Sequence, residues 1–118
     1  MLDVFKTKFA AAGFTELSPI QTAVAEPLAA GQSVLGLAPT GSGKTLAFTW
    51  PMLEALRVGE GTQVLILAPS QELAMQTTNV VREWGQLIDA KVLAITGGAN
   101  VKRQMEKLKK HPEVIVGT

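Results

Sequence analysis

Cysteine is absent from the 118 residues, so the chain has neither a disulfide framework nor thiol chemistry. Aspartate is scarce, occurring only as Asp3 and Asp89, and no Asp-Glu pair stands anywhere. No apolar run approaches the roughly 18 residues of a membrane span. Met1 is followed by an amphipathic, charged stretch, not by the apolar core of a signal peptide. A soluble, cytoplasmic protein is expected. Internal repeats and low-complexity segments are also missing, which argues against a solenoid or a disordered tail.

The composition that remains is globular, with 47% apolar and 18% charged residues. The length suits one compact domain. A net charge of +1 says nothing by itself about nucleic acid, but the distribution is uneven. Lys102, Arg103, Lys107, Lys109 and Lys110 stand against Glu106, a local +4, so the other residues sum to −3.

Residues 38–45 read Ala-Pro-Thr-Gly-Ser-Gly-Lys-Thr and directly follow the apolar run Val34-Leu35-Gly36-Leu37. A strand entering Gly-Lys-Thr and leaving as a helix is the setting of a phosphate-binding loop. Gly41 and Gly43 let the backbone turn its N–H groups inward. Together with the positive end of the following helix, these groups form an anion nest. Lys44 can reach the β- and γ-phosphates, and the Thr45 hydroxyl can ligate Mg²⁺. The strict pattern asks for glycine where Ala38 stands.

Apolar spacing sets the remaining elements. Leu2, Phe5, Phe9 and Ala12 mark a helix with Gly13 as its C-cap. Ser18 caps a second helix with Pro19 at its first position, Pro27 is expected to break or kink it, and Gly31 to end it. The loop's own helix starts at Lys44 and is expected to bend at Pro51 before continuing over 52–58. Strands are expected at 34–38, 64–68, 92–95 and 114–116, the second of them buried on both faces. A long helix begins near Leu73, and a basic one spans 101–110. Alternating strands and helices imply an α/β fold, a parallel sheet with helices on both faces. Ligands in such sheets bind at the carboxyl ends of the strands, where 38–45, 69–74, 97–98 and 117–118 fall.

Four landmarks then occur in a familiar order. Residues 13–21, Gly-Phe-Thr-Glu-Leu-Ser-Pro-Ile-Gln, are similar to the adenine-reading Q motif of DEAD-box ATP-dependent RNA helicases. The phosphate loop is the second landmark. Pro69-Ser70-Gln71-Glu72-Leu73-Ala74 is similar to the family's Pro-Thr-Arg-Glu-Leu-Ala, and Gly97-Gly98 is the fourth. Val116-Gly117-Thr118 matches the lead-in to Thr-Pro-Gly-Arg. The chain thus resembles the first part of the family's N-terminal RecA-like domain, a truncated P-loop NTPase fold. The resemblance divides it into Q-motif helices over 1–31 and a P-loop β/α core over 32–118.

The resemblance implies roles. Gln21 would read adenine, since a carboxamide both donates and accepts. Ser18 would touch the phosphate loop. Residues Ala38, Pro39, Thr40, Gly41, Ser42, Gly43, Lys44 and Thr45 would bind the nucleotide, with Lys44 and Thr45 serving catalysis and Thr45 the metal. Pro69, Ser70, Gln71, Gly97, Gly98 and Thr118 would face RNA. Gln71 replaces an arginine there, losing a charge and a bidentate donor. Leu17 stands where the family usually has proline, and Phe14 reads as a packing residue. ATP, Mg²⁺, RNA and a second RecA-like domain are the implied partners.

One feature of the family is missing. Hydrolysis needs an acidic pair at a strand end to hold Mg²⁺ and orient water. The family supplies it as Asp-Glu-Ala-Asp. The reading is therefore a nucleotide-binding piece of an RNA-unwinding ATPase that does not itself hydrolyse ATP. Two alternatives remain open: a P-loop ATPase of another class, such as a DNA helicase or nucleotide kinase, and a non-catalytic nucleotide-binding module.

Overall fold

The computed structural model describes residues 1–98 and 100–118. The chain forms two compact units, Met1–Ala55 and Leu56–Thr118.

The first unit is helical. Helix α1 (Asp3–Ala11) buries Phe5 and Phe9, the expected aromatic stripe, and Gly13 follows its end at φ +89°. Phe14 rests on Phe9 with ring centroids 5.0 Å apart, which makes it a packing residue as expected. The carboxylate of Glu54 accepts from the Leu2 N–H at 2.6 Å and lies 3.6 Å from the N-terminal ammonium. Helix α2 (Pro19–Ala29) packs against α3 (Lys44–Glu54). Val24, Ala47, Trp50 and Leu53 fill the core beside the two phenylalanines.

Three expectations about this unit need correction. Pro27 does not break α2, which runs on to Ala29, whereas α3 continues past Pro51 as expected. Each proline lies in the last turn of its helix. The missing N–H therefore forfeits a single bond, to the carbonyl four residues back, and little helix remains to be disrupted. Helix α3 also ends at Glu54, with Ala55 as its C-cap, and does not run on to Val58. Residues 34–38 form no strand. A strand is defined by its ladder, and among the described residues none pairs with this segment. Leu35 and Leu37 are accordingly 86% and 83% exposed, while Gly36 lies against the Ile20 side chain.

The second unit is a parallel sheet with its helices. Strands β1 (Val64–Leu67), β2 (Val92–Ile95) and β3 (Val114–Gly117) lie in the order β1-β3-β2. The last strand in sequence is thus the central one, in register Val64↔Val114 on one side and Val92↔Val114 on the other. Helix α4 (Gln71–Gly85) continues as a 3₁₀ turn (Gln86–Ile88) and packs on β2 and β3 through Ala74, Thr77, Thr78, Val81 and Trp84. Helix α5 (Val101–Leu108) contacts β2. The expected burial of both faces of β1 does not hold: Leu65 and Leu67 are 65% and 70% exposed. Among the described residues the strand pairs on one side only, and the alternate side chains Leu65 and Leu67 are left open.

Buried Glu113 fastens the end of the sheet away from the loops. Its carboxylate accepts from the Lys91 N–H at 3.0 Å, and its carbonyl accepts from the N–H groups of Gln63 and Val64. All three strands are thereby fixed in register at their starting ends. That register determines which loops emerge together at the opposite edge.

Candidate nucleotide and nucleic-acid sites

The phosphate loop lies in the first unit. Gly41 and Gly43 adopt φ +81° and +87°, left-handed values that a side chain disfavours. Gly43 is the N-cap of α3 and makes no side-chain cap. The first N–H groups of α3 therefore lack a capping side chain, at the positive end of the helix. Ser42 closes a tight turn by donating its N–H to the Pro39 carbonyl at 3.2 Å. Its hydroxyl is buried with no hydrogen-bond partner among the described residues. No role for that hydroxyl was legible in the motif. Lys44 is exposed and Thr45 partly so, both in the first turn of α3.

Gln21 joins α2 to the loop. Ser18 and Gln21 form a reciprocal capping box: the Gln21 carboxamide oxygen accepts from the Ser18 N–H at 2.9 Å, and the Ser18 hydroxyl accepts from the Gln21 N–H at 3.5 Å. The Gln21 amide nitrogen also donates to the Gly43 carbonyl at 3.3 Å. A Cβ placed on Gly43 would lie 2.5 Å from that nitrogen and 3.4 Å from the Ser18 hydroxyl. One N–H and one lone pair of the carboxamide remain uncommitted, the pair of functions an adenine edge requires. The side chain is only 6% exposed, so a base could meet it along one narrow approach.

The second unit gathers the other landmarks at one edge of its sheet. Because the strands are parallel, Ser70 after β1, Gly97 and Gly98 after β2, and Thr118 after β3 all leave at the same end. The Ala68 N–H donates to the Gly117 carbonyl at 2.8 Å, carrying the ladder into the Pro69 loop. Ser70 caps α4 by accepting from the Leu73 N–H at 3.2 Å. Gln71 reaches across to the glycine pair: a Cβ on Gly98 would meet its carboxamide oxygen at 3.3 Å, and one on Gly97 its nitrogen at 3.8 Å. A side chain at 98 would therefore press on the Gln71 carboxamide. Spacing alone did not show that Gln71 is the residue against Gly98.

Among the described residues no group of three or more His, Cys, Asp or Glu side chains could hold a metal. Thr45 is the side chain of the loop suited to a Mg²⁺ ion that arrives with the phosphates. No helix of the described residues is long and apolar enough to cross a membrane.

Comparison with known proteins identifies the family and the fold. The DEAD/DEAH box helicase family model matches residues 18–118. The chain is 45% identical over 109 residues to a probable ATP-dependent RNA helicase, YfmL, of Bacillus subtilis, covering 92% of this chain and 29% of the relative. It is 44% identical over 108 residues to the DEAD-box ATP-dependent RNA helicase CshC of Bacillus cereus, covering 91% and 28%. A crystal structure of a DEAD box protein from Methanococcus jannaschii superposes with a TM-score of 0.91 at 28% identity, over 100% of this chain and 32% of that one. A hypothetical ATP-dependent RNA helicase from Sulfolobus tokodaii gives 0.86 at 29% identity, over 100% and 34%. The chain therefore spans about a third or less of the length of these proteins. The α/β, RecA-like fold read from the motifs is the fold these structures share.

Proposed function

Since this chain belongs to the DEAD/DEAH box helicase family, we propose that it is the nucleotide-binding part of an RNA-dependent ATPase that unwinds short RNA duplexes. The observation that carries this reading is the direct bond between Gln21 and the phosphate loop at Gly43. It couples the group suited to adenine to the group suited to phosphate. Lys44 would neutralise phosphate charge, Thr45 would ligate Mg²⁺, and the metal would in turn draw charge from the phosphate oxygens. Pro69, Ser70, Gln71, Gly97, Gly98 and Thr118 would meet RNA at the sheet edge, largely through backbone groups. In the whole protein, ATP would draw a second RecA-like domain onto this one, closing both on RNA and bending one strand.

The chain as given should not hydrolyse ATP. Its sequence has no acidic pair to orient water and complete the metal shell. Phosphate release from purified protein, with or without RNA, should match background, with Lys44→Ala as the contamination control. Turnover that vanishes in that variant would overturn this reading and turn attention to Glu72, in the first turn of α4; Glu113 is buried at the opposite end of the sheet.

Base choice should follow Gln21. In calorimetric titrations the chain should take ADP in preference to GDP, and Gln21→Ala should move the ratio of the two affinities towards one. Using the ratio as readout separates base reading from any general loosening of the loop. Equal affinity of the unaltered chain for both purines would refute the role.

A further inference from the structure

Strand β2 is an edge strand of the second unit, and two adjoining cavities of about 380 and 350 Å³ run along it between α4 and α5. They share Arg82, Leu93 and Lys107, so together they form one groove. It begins beside Thr96 and Asn100, next to the Gly97-Gly98 turn, and ends at Lys110 and Pro112 near the start of β3. Five cations line it: Arg82, Lys91, Arg103, Lys107 and Lys110. Among the described residues no carboxylate does. Only Arg103, Lys107 and Lys110 belong to the basic run of the sequence. Arg82 and Lys91 join them because the sheet order leaves β2 at the edge.

Between the charges the lining has apolar Met75, Leu93 and Pro112, with polar Thr96, Asn100 and Gln104 at the end nearer the Gly97-Gly98 turn, and contains no aromatic side chain. Grooves that track single-stranded nucleic acid combine cations with aromatic platforms for the bases. This one instead offers surface for aliphatic side chains. The strand edge is also partly committed. Arg82 donates to the Val92 carbonyl at 3.1 Å and Gln104 to the Thr96 carbonyl at 2.9 Å. The alternation of the ladder turns the main-chain groups of Ala94, between them, to the same open side. A partner could pair its backbone at that one residue, and the two capped carbonyls prevent indiscriminate strand addition.

We infer that this groove docks an extended acidic segment of another protein, one that intersperses carboxylates with aliphatic side chains. The carboxylates would meet Arg103, Lys107 and Lys110, and the aliphatic groups would cover Leu93 and Met75. Electrostatic complementarity would speed the encounter, while the apolar contacts would select against polyanions at large.

The test is fluorescence anisotropy with a labelled peptide, Asp-Leu-Glu-Glu-Val-Asp-Leu-Glu, against the 118-residue chain. A second peptide carries serine in place of leucine and valine, and a labelled oligouridine is the third probe. The acidic-aliphatic peptide should bind saturably. Arg103→Glu with Lys107→Glu should weaken it by about tenfold or more, and the serine peptide should bind the unaltered chain about tenfold more weakly. Oligouridine affinity should fall with the lost charge, but clearly less than the peptide's. Circular dichroism checks the fold, and Lys107→Ala alone serves should the double variant unfold. No peptide binding, binding indifferent to these substitutions, or equal binding of the serine peptide would overturn the inference. An oligouridine loss as large as the peptide's would make the groove a nucleic-acid track and overturn it as well.

Discussion

Gly43→Ala should destabilise the chain by roughly 2–4 kcal/mol, and Gly41→Ala by roughly 1–2 kcal/mol. Both glycines hold φ above +80°, where a Cβ meets the backbone. Their surroundings differ. A Cβ on Gly41 has nothing within 4 Å, so only the backbone penalty applies. A Cβ on Gly43 would lie 2.5 Å from the Gln21 amide nitrogen, whose carboxamide is held at both ends: the nitrogen donates to the Gly43 carbonyl and the oxygen accepts from the Ser18 N–H. Yielding means breaking the capping box or the link to the loop. Urea denaturation should therefore separate the two variants by at least about 1 kcal/mol. Adding Gln21→Ala to Gly43→Ala should return part of the difference, because the clash then has no partner. Equal penalties for the two glycines, or no coupling in the double variant, would show that the loop accommodates the methyl group by moving.

Lys44→Ala should weaken ADP and ATP binding by at least about tenfold, which is 1.4 kcal/mol. The ammonium is exposed at the start of α3 and contributes nothing to the core. The thermal transition without nucleotide should accordingly stay where it is. With nucleotide in excess, the unaltered chain should melt higher, by linkage between binding and folding, and the variant should lose most of that rise. Calorimetry gives the affinity directly. An unchanged affinity would remove Lys44 from the phosphate site, and a lower melting point without nucleotide would assign it a structural part.

Local signals proved sufficient for much of this chain. Ser18 followed by Pro19 placed the start of α2, Ser70 caps α4 close to the expected start of the long helix, and the apolar runs at 92–95 and 114–116 became β2 and β3. The glycine turn before α3 was legible because its signal is contiguous: Gly41 and Gly43 take positive φ and the helix starts at Lys44. Pairing was not legible, because it joins residues far apart in sequence. The run at 34–38 and the run at 64–67 look alike as sequence, yet only the second finds a ladder. Nothing local indicated that β3 would insert between β1 and β2. That order is what brings Arg82 and Lys91 beside the basic helix. The contacts of Gln21 with Gly43 and of Gln71 with Gly98 were hidden for the same reason: each spans more than twenty residues.

The two edges of the sheet have different prospects in concentrated solution. At β2, a guanidinium and a carboxamide already hold outward carbonyls. At β1, the sequence Val-Leu-Ile-Leu has neither a charge nor a proline, and Leu65 and Leu67 stand open beside an unpaired backbone. Natural sheets blunt such edges because they template the addition of foreign strands. In concentrated solution, self-association of this chain should therefore start at residues 64–67. A lysine in place of Leu65 would act as a gatekeeper there while leaving the phosphate loop untouched.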